Sequence, residues 1–252
     1  MTPPGGTLRY RRSEPREVHD SYRGKERTID DLGRRIAEFG LRIGAIKLNP
    51  DDPFQWASGY RMPIYNDNRM FLFHPEMRRA IAQGLADIIA RERLAPEVIA
   101  GTATAGIPHG ALLADVLALP YIYIRDKPKA HGLKNRIEGL DAESDLERRS
   151  VVVIEDLIST GGSSARAVEA VREANGSCGW CISIFSYGLE KAAEHFASLD
   201  PPCNFTSLLT FPVLLATAKE GGFLSQEQID LLAEWRQDPF GWGEKHGFPK
   251  AG

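Results

Sequence analysis

The sequence predicts an α/β protein in which a mostly parallel central sheet is flanked by helices. Short apolar segments alternate with helical patterns along the chain, and this alternation is typical of βαβ units. Val151–Ile154 is an unbroken run of apolar β-branched residues, which suits a strand buried on both faces. Two loops of small residues, at 101–106 and 156–164, each lead from a strand into a helix. Because such loops open at the carboxyl edge of a parallel sheet, we expect both to face one site.

Length and composition fit one globular domain with a sizeable core. The chain has 252 residues, of which 42% are hydrophobic and 26% charged, as is normal for a soluble protein. The formal net charge of −3 argues against a nucleic-acid partner held by broad electrostatic attraction. No apolar run approaches the roughly 18 residues of a membrane helix, and the N-terminus lacks the apolar centre of a signal peptide. We therefore expect neither a nucleic-acid nor a membrane partner.

The cysteines indicate a reducing compartment. Cys178, Cys181 and Cys203 are too few and too oddly numbered for a disulfide framework, so we expect reduced thiols in a cytoplasmic protein. Cys178 and Cys181 have the spacing of a redox motif, but they precede a predicted strand instead of opening a helix. Structural cysteines are therefore the favoured interpretation.

The predicted organisation is an N-terminal extension followed by one domain. Residues 1–28 carry prolines, glycines and mixed charges with little apolar periodicity, which is typical of a poorly ordered terminus. Residues 29–252 form the domain, with its core at about 75–200. The helices within about 29–70 and 205–240 are expected to pack together as a small hood near the edge of the sheet.

Apolar periodicity and turn residues predict the individual elements. Helices are predicted at 29–46, 75–93, 111–119, 213–218 and 225–235, and from Ala165 onwards. Strands are predicted at 98–100, 121–124, 151–154 and 181–185, with a loop and short strands over 48–69. Residues 125–149 are charged and nearly devoid of large apolar side chains, and a loop of that length is usually functional or disordered.

The strand–helix junction at 151–164 has the chemistry of a sugar-phosphate site. Glu155 and Asp156 follow the apolar run, and Ser159–Ser164 supplies hydroxyls and closely spaced N–H groups. Unpaired N–H groups and the positive end of a helix dipole attract anions, while the acids suit sugar hydroxyls. The glycine patterns of P-loop and dinucleotide sites are absent. The junction therefore indicates a ribose phosphate.

This junction, VVVIEDLISTGGSS, resembles the phosphoribosyl pyrophosphate (PRPP) signature of the type I phosphoribosyltransferases. Residues 54–69 (FQWASGYRMPIYNDNR) and 125–132 (RDKPKAHG) resemble segments of the orotate phosphoribosyltransferase family, in the form common in Gram-positive bacteria. The resemblance covers about residues 30–240. It implies the type I phosphoribosyltransferase fold and an enzyme of pyrimidine synthesis. That enzyme would convert orotate and PRPP, with Mg²⁺, into orotidine 5′-monophosphate and pyrophosphate.

The resemblance also implies which residues act. The implied catalytic residues are Lys129, His131 and Asp156. The implied PRPP-binding residues are Lys47, Thr102, Ala103, Thr104, Ala105, Arg125, Lys129, His131, Glu155, Asp156, Leu157, Ile158, Ser159, Thr160, Gly161, Gly162 and Ser163. The implied orotate-binding residues are Ser58, Gly59, Tyr65 and Ser159. Glu155 and Asp156 would hold the ribose hydroxyls directly or through Mg²⁺, and the loop with Lys129 would close over the neighbouring subunit of a homodimer.

The residue types agree with the implied chemistry. Displacing pyrophosphate from C1 of the ribose passes through a cationic, oxocarbenium-like state and releases a leaving group rich in negative charge. Fixed cations and Mg²⁺ stabilise such a leaving group, and a mobile loop can bring them while excluding water. Orotate is already an anion, so its nitrogen needs no strong base. The acids are therefore expected to position and stabilise.

Three positions depart from the family pattern. Asp126 stands where many relatives have lysine, Ala105 stands where some bacterial relatives have lysine, and Tyr187 replaces an arginine that binds the orotate carboxylate in those relatives. The carboxylate is thus left without an assigned partner, for which Arg69 is a candidate.

Two alternative functions stay open. They are a purine or xanthine phosphoribosyltransferase sharing only the 151–164 signature, and a noncatalytic PRPP-sensing regulator of the same fold.

Overall fold

The computed structural model describes residues 28–56, 58–126, 136–140 and 145–251. The strands in these ranges are β1 Ile46–Leu48, β2 Phe54–Gln55, β3 Arg61–Met62, β4 Ile64–Asn66, β5 Val98–Thr102, β6 Tyr121–Ile124, β7 Ile137–Glu138, β8 Ser150–Ile158, β9 Ser177–Ser186 and β10 Asn204–Thr210. The α-helices are α1 Ile29–Ile43, α2 Pro75–Arg91, α3 Gly106–Leu117, α4 Gly162–Glu173, α5 Glu190–Ala197, α6 Phe211–Glu220, α7 Gln226–Gln237 and α8 Trp242–Lys245. A 3₁₀ helix spans Asn68–Phe73.

The centre of the molecule is a six-stranded sheet in the order β10-β9-β8-β5-β6-β7. Its strands pair in parallel except for β6 and β7, which are antiparallel. The strands β1 and β4 form a separate antiparallel pair, as do β2 and β3. The predicted fold class, a mostly parallel sheet flanked by helices, is confirmed.

The side chains of β8 alternate between two hydrophobic clusters, one on each face of the sheet. Val152 and Ile154 belong to the cluster formed with α1, α2 and α3. Val151 and Val153 belong to the cluster formed with α4 and α5. An unbroken apolar run is required because both faces of the strand are buried. The predicted doubly covered strand is therefore confirmed.

The helix at the start of the domain is shorter than predicted. Thr28 and Asp31 form a capping box at the beginning of α1, and Gly44, with φ of 75°, ends it. A left-handed glycine commonly terminates a helix, so the predicted continuation to Ile46 is wrong, and β1 begins there instead. Helix α1 packs against α2, α6 and β10. The division into core and hood remains a prediction.

Two boundaries near the predicted site also differ from the sequence expectation. The strand expected to end at Ile154 continues to Ile158, because β8 stays paired with β9 as far as the pair Ile158 and Ser186. The acids therefore lie within the strand and do not follow it. Helix α3 starts at Gly106 instead of Ala111. A Cβ at Gly106 would lie 2.6 Å from the carbonyl oxygen of Ile154, so glycine allows the helix to begin directly against β8.

The predicted capping box near the end of the chain is confirmed, whereas the strand predicted at 181–185 begins earlier, at Ser177. Ser225 and Gln228 form the expected capping box at the start of α7. The cysteines Cys178, Cys181 and Cys203 are free and buried, in keeping with a structural role. Across the ranges described above, no helix combines the length and apolar character needed to cross a membrane.

Candidate active site

The two small-residue loops meet at the carboxyl edge of the sheet. Strands β5 and β8 are neighbours, with Gly101 paired to Ile154. From β5 the chain proceeds through α3 to β6 on one side, and from β8 it proceeds through α4 to β9 on the other. The crevice between strands whose connections diverge in this way is where open α/β sheets bind ligands. Both loops therefore open at the same edge of the sheet, as expected, and a shared site remains a prediction.

Glu155 is the most constrained acid in this crevice. It is only 8% exposed, and its Oε1 accepts hydrogen bonds from the Thr102 hydroxyl at 2.7 Å and from the Asp156 N–H at 3.0 Å. Its Oε2 accepts from the Ser164 hydroxyl at 3.2 Å. Burial first, and then the charge of Asp156, raise the pKa of Glu155 above its ordinary value. The carboxyl group is thus held in place across three elements.

Asp156 is half-buried and lies next along β8. Burial raises the pKa of its carboxyl group, while hydrogen bonds from neighbours including Asn68 lower it. The Asn68 amide also donates to the backbone carbonyl of Asp156 at 2.7 Å. Because Asn68 begins the 3₁₀ helix after β4, this bond ties the segment that carries the predicted base-binding residues to the predicted ribose-binding acid.

The loop between β8 and α4 retains the features of an anion site. Ser159 and Thr160 are half-buried, Ser163 is exposed, and Gly161 has φ of 79° where helix α4 begins. The N–H groups of the first helical turn have no partners within the helix and carry its positive dipole. His195 of α5 holds the loop from behind, with Nδ1 lying 2.7 Å from the Thr160 carbonyl oxygen.

Other members of the predicted PRPP set lie at the same edge of the sheet. Ala103, Thr104 and Ala105 form the turn between β5 and α3, with Thr104 exposed and a cis peptide bond between Ala103 and Thr104. Leu157 and Ile158 belong to β8, and the Ile158 side chain is buried. Gly162 is the first residue of α4.

Lys47 and Tyr65 are directly paired across β1 and β4. The Lys47 Nζ lies 5.9 Å from the centre of the Tyr65 ring, and Tyr65 is 40% exposed. Ser58 and Gly59 lie in the turn between β2 and β3, where Gly59 accepts a hydrogen bond from the Ala251 N–H at 2.9 Å. The Lys47 ammonium group and the Tyr65 ring are therefore adjacent on this two-stranded pair.

The loop predicted to carry catalytic cations is described only at its ends. Arg125 is half-buried, and its Nη1 lies 3.2 Å from Glu138 of β7. Asp126, one of the departures from the family pattern, lies 3.9 Å from Arg166 of α4. Lys129 and His131 lie outside the described residues, so their roles remain predictions.

Sequence reasoning missed three residues that hold the site together. Asn68 and Ser164 lie inside segments that it singled out, as a polar residue just after a strand and as the last of a run of small residues. The sequence therefore indicated that these two residues lie near the site, but it did not indicate their hydrogen-bond partners. His195 had no local signal, because its contact with Thr160 arises from the packing of α5 against the loop.

His109 of α3 is a buried titratable group beside this site. It is 1% exposed, and neither ring nitrogen has a well-aligned hydrogen-bond partner in the described ranges. Burial lowers the pKa of His109 from 6.5 to about 4, and the backbone at Asn68 offsets this only in part. The unfolded chain therefore takes up the proton first as the pH falls, so the folded state loses stability between about pH 6.5 and 4.

We expect this loss to disappear in His109→Gln, which cannot take up the proton. From the two pKa values, His109 should account for about 2 kcal/mol of the stability lost between pH 7.5 and 5. Urea unfolding at both pH values would measure it for wild type, His109→Gln and the control His74→Gln, whose ring lies against Phe39 on the outer helices. An unchanged pH dependence in His109→Gln would contradict the assignment, whatever its absolute stability.

Comparisons with known proteins agree with this geometry. A family model described as the phosphoribosyl transferase domain matches residues 69–198. An orotate phosphoribosyltransferase of Lactiplantibacillus plantarum is 45% identical over 85% of this chain and 99% of its own length. One from Staphylococcus saprophyticus is 46% identical over 82% and 99%. The solved structure of orotate phosphoribosyltransferase from Aeropyrum pernix is 26% identical, with a TM-score of 0.62 over 75% of this chain and 99% of that one.

Proposed function

This chain belongs to the orotate phosphoribosyltransferase family, and we propose on that basis that it joins orotate to the 5-phosphoribosyl group of PRPP. The products are orotidine 5′-monophosphate and pyrophosphate, in the synthesis of pyrimidine nucleotides. The observation that carries the proposal is the acid pair Glu155 and Asp156, held at the carboxyl edge of the sheet beside the small-residue loop at 159–163. Such a crevice offers hydroxyl-binding and phosphate-binding groups together.

The acids position the ribose and do not act as strong bases in this proposal. Both oxygens of Glu155 already accept hydrogen bonds from Thr102 and Ser164, so its orientation is set before substrate arrives. Asp156 is the more accessible of the two. As the bond at C1 breaks, the ribose becomes positive, and carboxylates near its hydroxyls stabilise that charge without reorganising.

The phosphates are bound at the two loops. Residues 159–163 take the 5′-phosphate with backbone N–H groups and hydroxyls at the start of α4, an arrangement supported by the helix dipole. The turn at 102–105 takes the pyrophosphate, together with Lys47 and Arg125. Lys129 and His131 complete the set of basic residues that bind the pyrophosphate, and they stabilise the charge that develops on this leaving group.

Mg²⁺ is the cofactor that we infer. It is usually held by one or two carboxylates together with the phosphates of a substrate, and Glu155 and Asp156 supply the carboxyl groups here. The described ranges contain no group of three or more histidine, cysteine or acidic residues able to hold a metal. We infer an ion that arrives with the phosphates of PRPP and that Glu155 and Asp156 contact indirectly, because the two acids lie beside the proposed phosphate-binding loops. When bound, Mg²⁺ would neutralise charge on the pyrophosphate.

We also propose a homodimer in which the loop containing Lys129 acts at the neighbouring subunit's site. The support is the resemblance of residues 125–132 to the catalytic loop of the family. The cytoplasm is the compartment that we infer, because Cys178, Cys181 and Cys203 are free thiols and disulfides form mainly in oxidising compartments.

A panel of nucleobases with PRPP and Mg²⁺ tests the activity. The purified full chain should convert orotate to orotidine 5′-monophosphate, identified by chromatography and mass spectrometry, and should leave hypoxanthine, xanthine and adenine unchanged. Turnover of a purine but not of orotate would replace the proposal with a purine phosphoribosyltransferase. Binding of PRPP without turnover of any base would favour a noncatalytic regulator.

A further inference from the structure

The carboxylate of orotate sets a geometric requirement, given the proposed function on which this inference rests. It is attached to the ring carbon next to the nitrogen that attacks the ribose, so it must lie close to C1 when the base is in place. Uracil differs from orotate only by lacking this group. A cation that binds this carboxylate therefore has to lie between the predicted base-binding residues and the ribose-binding acids. In that position it can distinguish orotate from uracil.

Arg69 has a guanidinium group prepared for such a role. Its Nε and Nη2 lie 2.7 and 2.9 Å from the two carboxylate oxygens of Asp67, and its backbone N–H donates to the same carboxylate at 3.1 Å. This bidentate pairing orients the planar guanidinium group, and Nη1 takes no part in it. The side chain is 59% exposed, so a ligand can reach the remaining N–H groups.

The position of Arg69 matches the requirement. Its neighbour Asn68 donates to the backbone carbonyl of Asp156 at 2.7 Å, which fixes this turn against the ribose-binding acid. Tyr65, a predicted base-binding residue, lies in β4, the strand that leads directly into this turn. The hydrogen-bonded Asp67 first, and then the more distant charges of Tyr65 and Asp156, raise the pKa of Arg69.

Burial raises the pKa of Tyr187, so this neighbour of the base-binding segment stays neutral and cannot supply the charge. Tyr187 is 1% exposed and packs beneath Trp56, whose ring lies stacked at 6.0 Å, and against Trp235 at 5.5 Å. Lys47 lies over Tyr65 on the opposite strand and is assigned to the phosphates. We propose that Arg69, oriented by Asp67, binds the carboxylate of orotate and makes the enzyme select orotate over uracil.

Kinetics with both substrates varied test this role. Arg69→Gln should raise the KM for orotate by about 10–100-fold, as expected for losing a charge-assisted pair, and should change the KM for PRPP by less than about threefold. Arg69→Lys should recover part of the loss, because it keeps the charge without the planar fork. The control is Arg34→Gln, which removes another exposed arginine paired with a carboxylate, Glu220 at 2.7 Å, on the outer helices.

The ratio of kcat/KM for orotate to that for uracil gives a second readout. Loss of the carboxylate partner should lower this ratio by about the same factor in Arg69→Gln, while a general disturbance of the site would lower both rates together. An unchanged orotate KM, or equal losses for orotate, uracil and PRPP, would overturn the assignment of Arg69. A wild-type enzyme that does not use orotate would instead overturn the proposed function itself.

Discussion

Replacing Asp156 by asparagine is expected to lower kcat/KM for PRPP by about 10²–10³-fold, the usual effect of removing one charge that stabilises a transition state. The reason is electrostatic, because asparagine keeps the shape but cannot stabilise the positive ribose. The stability of the folded protein should not decrease. Burial raises the pKa of Asp156, so the carboxylate is destabilised in the folded state and a neutral residue should leave the melting temperature unchanged or raise it. Steady-state kinetics with PRPP varied, and thermal unfolding, measure the two effects.

The control for this variant is Asp145→Asn. Asp145 accepts hydrogen bonds from the Glu147 N–H and from Asn175 in a loop away from the sheet edge, so its replacement should leave PRPP kinetics unchanged. The bond from Asn68 to the Asp156 carbonyl involves the backbone and persists in Asp156→Asn. A variant that lost stability together with activity would show that Asp156 serves the fold, and a variant with normal kcat/KM would remove it from the site.

The 151–164 junction could be predicted because its signals are local. A doubly buried strand requires an unbroken apolar run, and a loop entering a helix with several hydroxyl and glycine residues has few other uses. The end of strand β8 was harder to predict from the sequence. Glu155 and Asp156 are unusual strand residues, and only the pairing of β8 with β9 carries the strand through them to Ile158. Local propensity does not include that long-range pairing.

The hydrogen bonds that hold Glu155 and Asp156 could not be predicted either, because they join residues far apart in the sequence. The Asn68 amide meets Asp156 across 88 positions of sequence, and Thr102 meets Glu155 across 53. The parallel sheet alone predicts that the loop containing Thr102 approaches Glu155, since β5 and β8 end at one edge. Nothing comparable predicts Asn68, because the segment between β4 and α2 has no regular pairing with the central sheet. Its position follows from packing of the complete core.

The second large effect is expected at Lys129, the cation that the family resemblance assigns to the leaving pyrophosphate. Lys129→Ala should lower kcat by about 10²–10³-fold, because a donor acting mainly in the transition state contributes little to substrate binding. The KM for orotate should stay within about threefold of wild type. Lys134→Ala, which removes another lysine of the same charged segment, is the control. Stopped-time assays of product with saturating substrates measure kcat, and a normal value in Lys129→Ala would exclude the assigned role.

The two variants together test whether the loop acts across a dimer. If Lys129 serves the neighbouring subunit, a hybrid of Lys129→Ala and Asp156→Asn chains has one site with both defects and one intact site. Random exchange makes half of the dimers hybrids, so the mixture should recover up to about one quarter of wild-type activity. Differently tagged chains purified together prove that exchange has occurred. If proven hybrids stay as inactive as either parent, each site is contained within one chain, and the shared loop is wrong even though Lys129 itself acts.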